Sequence, residues 1–269
     1  ETARLRRSGS PRHRLADSWA MSLPEPSPEA IAALAPTGTL RAAINLSNFL
    51  LVTGKSADGN PQGVSPDMAK ALAERLGVDV ELLRYKTPGA VADDGGSGVW
   101  DVGNIGAEPQ RAEQINFTAA YCEIEATYMV RGDSDITSID QVDQPGRSVV
   151  GPARSAYGLW LERNIAQAEL VLVEGLGGAY DAWAEQGIDA LAGLRPGLIS
   201  DAEKMPGARI LDGRFTAVQQ AMGTPKDRDG AGFDYLGRFV EAAKADGLVA
   251  GFIDAHGVQG LSVAPPADH

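Results

Sequence analysis

Apolar residues in the first part of the chain follow a strand, helix, strand order. Residues 39–46 and 78–85 have the pattern of strands, and apolar side chains recur at helical spacing over 65–76 between them. Ser65, followed by a proline and an aspartate, is a good N-cap, and Gly77 is a typical helix end. This order predicts two parallel strands joined by a crossover helix.

The same order returns in the second half of the chain. Residues 147–151 and 169–173 are predicted strands, and residues 155–163 are the helix between them. Two further strands, 125–130 and 216–222, lie on either side of this second unit and are interpreted as hinge crossings. We therefore predict an α/β protein with two lobes, each a mainly parallel sheet flanked by helices.

The predicted domain boundaries follow from this duplication, with the helices at 235–245 and 248–256 returning to the first lobe. They are a disordered tail over 1–27, lobe 1 over 28–130 plus 223–265, and lobe 2 over 131–222, with hinges near 128–133 and 216–224.

The charge of the chain is acidic and uneven. There are 24 Lys and Arg against 36 Asp and Glu, a net charge of −12. Residues 1–27 hold five arginines against three acids, which leaves −14 for the rest. Such a body repels nucleic acid and anionic lipid, so we exclude nucleic acid as a partner.

Cysteine and histidine are too scarce for most metal and nucleophile chemistry. Cys122 is the single cysteine, so no disulfide forms within the chain, and it is expected to be a small buried hydrophobe. Of three histidines, His13 and His269 lie in the polar termini, which leaves His256 in the folded body. No metal or cofactor is predicted.

The chain contains no apolar run of about 18 residues, the length that would span a membrane. Its first twenty residues are basic but lack an apolar core of about 7 residues, so a complete signal peptide is not visible. A periplasmic location rests on the family resemblance given next, and a cytoplasmic one stays open.

From about residue 36 to residue 265 the chain resembles the family 3, polar amino acid type, substrate-binding proteins of ABC importers. The resemblance rests on the order and spacing of six segments, with Arg111 between the third and the fourth. They are residues 38–41, 63–77, 100–103, 115–121, 187–191 and 239–247. The resemblance implies a type II periplasmic-binding-protein fold that closes on its ligand. It also implies a small carboxylate-bearing ligand, a membrane ABC permease as partner, no catalytic activity, and a monomer.

Arg111 is the main candidate for binding, because the resemblance places it where the family grips a carboxylate with two parallel hydrogen bonds. A surface ion pair is the alternative. The preceding loop, with Asn104, Gly106 and Ala107, is implied to offer polar groups and backbone N–H donors to the same carboxylate. Glu108 either orients Arg111 or binds a cationic ligand group.

Aromatic residues near the predicted cleft have two interpretations. Asn48 and Phe49 follow the first strand, where the family often covers the ligand with an aromatic ring, but Phe49 equally suits a core position. Tyr121 either packs in the core or turns its hydroxyl toward the cleft.

In the second lobe, Ser155 and Tyr157 open a helix whose N-terminus favours anions. Ser155 is either a ligand contact or only an N-cap. Relatives usually carry glycine where this chain has Arg154, which either adds a positive contact or points outward.

The segment after Gly187 departs from the amino acid binders of the family. They commonly have an Asp at the position of Leu194, where it pairs with the α-ammonium group, and here Arg195 follows. This change disfavours an α-ammonium and favours a second anionic or a neutral polar ligand group, unless Glu125, Asp181 or another acid replaces the missing one. Arg195 is a candidate ligand contact, with an outer surface position as its alternative.

Two other functions compete with solute binding. A few proteins with this fold are cyclohexadienyl dehydratases, which need a general acid such as Glu108, Glu123 or Glu125. The same fold also serves as a free-standing ligand sensor.

Overall fold

The computed structural model describes residues 23–228 and 230–267, and it contains both of the α/β units predicted from the sequence. The helices are α1 Pro28–Leu34, α2 Val64–Leu76, α3 Pro88–Asp93, α4 Ala156–Asn164, α5 Leu176–Gln186, α6 Arg195–Ala202, α7 Ala231–Ala245 and α8 Leu248–Ala255, with short 3-10 turns at Arg111–Glu113 and Ile139–Gln141. The strands are β1 Thr39–Asn45, β2 Gly54–Lys55, β3 Pro61–Gln62, β4 Asp79–Tyr85, β5 Val102–Gly106, β6 Ile115–Val130, β7 Ser148–Pro152, β8 Glu169–Val173, β9 Ala190–Leu194, β10 Arg209–Ile210, β11 Thr216–Pro225 and β12 Ser262–Val263.

The main sheet has the strand order β4-β1-β5-β11-β6-β9-β7-β8, and β10 and β12 both pair with β6. β1 lies parallel to β4 and β5, and β7 lies parallel to β8 and β9. Each parallel group therefore forms the sheet of one lobe, and the antiparallel strands β6 and β11 lie between the two groups. The fold is the predicted two-lobed α/β arrangement.

Strands β6 and β11 connect the lobes. β11 pairs with β5 of the first lobe from Gln220 to Gly223, and with β6 along most of its length. The last part of β6, residues 126–130, pairs with β9 of the second lobe. These five residues, which stand at the end of the predicted lobe 1, thus hydrogen-bond to a strand of the second lobe.

Separate apolar cores stabilise the two lobes. The largest lies under α2, α7 and α8 and contains fully buried side chains such as Met68, Leu72 and Phe239. The second lobe has one cluster around Leu161 and another around Trp183. Each lobe therefore has its own apolar core, as expected of domains that can move relative to each other.

Two of three predicted helix ends are confirmed. Gly77 ends α2 with a left-handed φ of 69°, and the Ser155 side chain accepts a hydrogen bond from Gly158 N–H at 2.9 Å as the N-cap of α4. The prediction that Ser65 caps α2 is wrong, because the N-cap residue is Gly63. A Cβ on Gly63 would lie 2.2 Å from the Leu51 carbonyl oxygen, so glycine is required there. The same carbonyl accepts a hydrogen bond from Ser65 N–H at 3.1 Å and so satisfies one of the free N–H groups of the first turn without a side-chain cap.

The predicted tail over 1–27 falls mostly outside the described residues, which begin at residue 23. Residues 23–27 contact the first lobe. Leu23 is buried in its core, Arg75 donates hydrogen bonds to the carbonyls of Leu23 and Pro24, and Ser27 caps α1. Within the described part of the chain, no helix combines the length and the hydropathy needed to cross a membrane.

Candidate functional site

A small pocket of about 60 Å³, which we call the arginine pocket, lies between the lobes, where the carboxyl ends of β1 and β5 face the start of α4. Its polar lining residues are Asn45, Ser47, Asn48, Arg111, Ser155 and Gln220. Its larger apolar lining residues are Phe49, Tyr157, Leu176, Leu194 and Val218. Both lobes therefore contribute to one pocket.

Arg111 is the charged residue of this pocket. Its side chain is 4% exposed, and the guanidinium donates to Gly106 O at 2.6 Å and to Arg154 O at 2.8 Å. Among the residues that the structure describes, no carboxylate forms an ion pair with it. Burial lowers the pKa of Arg111 to about 10, so the group is still a cation at neutral pH. A buried cation bonded only to carbonyl dipoles retains a strong attraction for an anion.

Glu108, the nearest acid considered for this pocket, pairs elsewhere. Its carboxylate accepts a hydrogen bond from Arg163 Nη2 of the second lobe at 2.5 Å, and its side chain is only 9% exposed. Burial raises the pKa of this carboxyl, although Arg163 and Arg111 act in the opposite direction. Neither role that the sequence suggested for Glu108 is seen, since it hydrogen-bonds across the cleft instead.

The loop before Arg111 contributes less than the family resemblance implied. Gly106 lines the pocket and gives its carbonyl to Arg111, but Ala107 N–H is already bonded to Gln219 O at 2.8 Å. Asn104 is 1% exposed and lies outside the pocket lining, with both amide atoms lacking a partner in the structure. Only Gly106 of these three predicted residues reaches the arginine pocket.

Asn48 and Phe49 both line the pocket, but Tyr121 does not. The Asn48 side-chain oxygen accepts hydrogen bonds from the N–H groups of Leu50 and Leu51, so it stabilises its own loop. The Phe49 ring is 45% exposed at the pocket mouth, which favours the covering position over the core one. Tyr121 is fully buried in the first-lobe core.

In the second lobe, Ser155 and Tyr157 line the pocket from the start of α4. The Arg154 side chain points outward and pairs with Asp93 at 2.5 Å, and its φ of 59° explains why glycine suits this position. Arg195 lies away from the pocket lining, where it pairs with Glu125 at 2.9 Å.

Eight lining residues were not predicted as site residues: Asn45, Ser47, Pro88, Ala156, Leu176, Leu194, Val218 and Gln220. Asn45 and Ser47 end the first strand, so the same argument that selected Asn48 would have found them. Gln220, a polar residue inside an apolar strand, is a weaker signal. Leu176 and Val218 carry no signal, because their position depends on how the lobes meet.

The lobes also touch around the pocket through polar contacts. Arg154 donates to Gly89 O at 3.3 Å in addition to its pair with Asp93, and Arg163 contacts Gln110 as well as Glu108. An outer groove of about 330 Å³ runs along this contact on the other side of Arg111. These bonds hold the two lobes together.

The acids considered as general acids are all engaged with cations or amides. Glu125 pairs with Arg195, and Glu123 accepts from Gln219 at 2.9 Å and lies 3.8 Å from Arg214. No group of three or more His, Cys, Asp or Glu side chains that could hold a metal occurs among residues 23–228 and 230–267.

A two-lobed α/β fold with a pocket at the lobe interface defines the class of interlobe ligand-binding proteins. The family model of the bacterial extracellular solute-binding proteins, family 3, matches residues 48–256, so the chain belongs to this family. Its proteins bind small molecules such as amino acids, typically work with ABC permeases, and are typically extracellular or periplasmic. The family predicted from the sequence is thereby confirmed.

Three solved structures show the same fold. An amino acid ABC transporter substrate-binding protein of Streptococcus pneumoniae bound to L-arginine has a TM-score of 0.64 at 20% identity, over 87% of this chain and 99% of that one. The periplasmic VFT2 domain of Bordetella pertussis BvgS has a TM-score of 0.68 at 20% identity, over 86% and 99%. The ancestral amino acid-binding protein AncCDT-1, a precursor of cyclohexadienyl dehydratase, has a TM-score of 0.66 at 20% identity, over 84% and 97%. No curated protein sequence matches the chain.

Proposed function

We propose that this protein captures a small carboxylate-bearing solute, an amino acid or organic acid, in the cleft between its lobes. The observation that carries the proposal is the buried Arg111 guanidinium, which lines an interlobe pocket without a carboxylate partner among the described residues. Leaving a buried charge unpaired costs several kcal/mol, and a planar carboxylate offers it two parallel hydrogen bonds. A carboxylate ligand therefore supplies the missing partner.

Binding and closure are coupled through Arg111. It extends from the first lobe, and one of its two acceptors, Arg154 O, belongs to the second lobe. The start of α4, which lies beside this carbonyl, adds free N–H groups and a positive helix end. In this proposal the carboxylate first binds Arg111 in an open form, and groups of the second lobe then complete the binding site on closure.

Closure in this proposal is a hinge motion about strands β6 and β11, near residues 128–133 and 216–224, between lobe 1 at 28–130 plus 223–265 and lobe 2 at 131–222. These two strands connect the lobes within the sheet. The closed form presents both lobes to an ABC permease from the periplasmic side of the membrane, and the protein acts as a monomer without catalysis.

A thermal-shift screen of the purified protein tests the proposal. The panel contains amino acids, dicarboxylates, aromatic acids and polyamines, and a ligand present at 100 times its Kd adds about 2.7 kcal/mol of stability. We expect at least one carboxylate to stabilise the wild type and to lose this effect in Arg111→Met. Arg111→Lys, which keeps the charge, serves if the methionine variant does not fold.

The matched control is Arg238→Met, which removes an exposed arginine from α7. This variant should keep the full ligand effect. If no carboxylate stabilises the wild type, or if the effect persists in both Arg111 variants, the proposed function is wrong.

A further inference from the structure

The arginine pocket continues into a larger space in the second lobe. This neighbouring pocket, which we call the apolar pocket, has a volume of about 340 Å³ and shares Phe49, Tyr157, Leu176 and Leu194 with the arginine pocket. A space of about 60 Å³ holds only a few water-sized groups, whereas about 340 Å³ is in the range of ligand sites. A carboxylate on Arg111 therefore fills the smaller space, and the rest of the solute extends into the larger one.

The arginine pocket offers little to a positively charged ligand group. No Asp or Glu belongs to its described lining, and position 194 holds leucine. Three of its side-chain acceptors are already used: Asn45 Oδ1 by Ser47, Asn48 Oδ1 by backbone N–H groups, and Ser155 Oγ by Gly158 N–H. The other two polar lining residues, Ser47 and Gln220, offer only uncharged oxygen atoms. An ammonium group there would lie beside a buried guanidinium without an anion of the protein to offset it.

The apolar pocket is lined mainly by aliphatic and aromatic side chains, among them Leu176, Leu191 and Leu198. Leu176 is 41% exposed and Phe49 is 45% exposed, so both present apolar surface that a ligand would cover. Asp201 is the acid in its described lining, and Lys204 neutralises it with a hydrogen bond of 2.5 Å. This pocket favours an apolar group over a cationic one.

We infer that the solute is a monocarboxylic acid with an apolar body and without an α-ammonium group, such as an aryl or branched aliphatic acid. Its carboxylate lies on Arg111, and its body lies between Phe49, Tyr157, Leu176 and Leu194. The inference rests on the proposed function and specifies the class of solute for that site.

Isothermal titration of the full chain with matched ligands tests the inference. The ligands are 3-phenylpropionate and 4-methylvalerate, their α-amino counterparts L-phenylalanine and L-leucine, the uncharged 3-phenylpropionamide, and L-arginine. We expect each acid to bind at least about tenfold more tightly than its α-amino counterpart, and the amide to bind as weakly as the α-amino acid or more so. Leu194→Asp, which places an acid in the lining of both pockets, should reverse the preference.

A second variant keeps the test informative if Leu194→Asp fails to fold. Leu176→Ser changes a side chain that is 41% exposed, and it should weaken 3-phenylpropionate by about tenfold, whereas Arg238→Met in α7 should not change this affinity. Preferred binding of L-phenylalanine, L-leucine or L-arginine that depends on Arg111 would overturn the inference and leave the proposed function intact. Absence of any Arg111-dependent carboxylate binding would overturn both.

Discussion

Gly106 packs closely against Ala156 of the second lobe beside Arg111, and we predict that alanine at position 106 impairs closure. A Cβ on Gly106 would lie 2.8 Å from the Cβ of Ala156 in the second lobe and 3.1 Å from Val218 Cγ1. Carbon atoms pack best at about 3.5–4.0 Å, so the added methyl group is about 0.7 Å too close to Ala156. The Ala156 Cβ cannot turn away, because it is bonded directly to the backbone of α4.

The cost of this contact falls mainly on the closed form. Overpacking by one methyl group costs about 1–3 kcal/mol, and an open form relieves the contact with Ala156. Because binding requires closure, this cost is subtracted from the binding free energy, and the affinity for the ligand should fall by about 5- to 150-fold. Without ligand the variant can relieve the contact by opening. The substitution should therefore change the free energy of unfolding by less than it changes the free energy of ligand binding.

Calorimetric titration of Gly106→Ala with the carboxylate found by screening measures this effect, and small-angle scattering reports the average opening of the lobes. Gly237→Ala in α7 is the matched control, because no atom lies within 4 Å of its added methyl group. It should bind normally and gain up to about 1 kcal/mol in stability. An unchanged Kd in Gly106→Ala would refute the closed geometry at this contact.

Three further predictions concern stability. Arg154→Gly and Arg154→Ala both lose the ion pair with Asp93, but only glycine adopts the φ of 59° without strain. In urea unfolding the glycine variant should therefore be about 1 kcal/mol more stable than the alanine variant. Equal stabilities would contradict backbone strain at position 154. Asp101→Asn breaks the buried contacts with Arg41 and Arg228 and should cost about 3–5 kcal/mol at pH 7. Burial alone would raise the pKa of the Asp101 carboxyl, but hydrogen bonds from both arginines hold it below its usual range. The wild type should therefore lose this stability as the pH falls below about 4, because the Asp101 carboxylate becomes protonated. If Asp101→Asn had the same acid unfolding profile as the wild type, this contribution of Asp101 would be contradicted. Burial raises the pKa of the Cys122 thiol, so a thiol reagent at pH 8 should label it only on unfolding, and rapid labelling of the folded protein would contradict its burial.

Local sequence signals predicted the fold well, because they report on the backbone. Gly77 and Ser155 each fix a helix end through their own conformation or side chain, and both positions were predicted correctly. The error at the start of α2 has a non-local cause. The Leu51 carbonyl, twelve residues before Gly63, leaves no room for a side chain at Gly63 and accepts a hydrogen bond from Ser65 N–H in the first turn.

The site was predicted less completely, for the same physical reason. Arg111 was predicted through its family motif, but its lack of an acid partner depends on Glu108 pairing with Arg163, which lies 55 residues after Glu108 in the chain. That Leu176 and Phe49 line the same pocket likewise requires both lobes in place. No local pattern in the sequence specifies such pairings.

A thermodynamic cycle on Arg111 tests the central claim that its buried guanidinium binds the solute carboxylate. Titration calorimetry of wild type and Arg111→Met, each with the carboxylic acid and its primary amide, gives the coupling free energy between the two groups. We predict a coupling of about 1.5–3 kcal/mol, as expected for hydrogen bonds to charged groups. A coupling near zero, with acid and amide affected equally by the substitution, would contradict it.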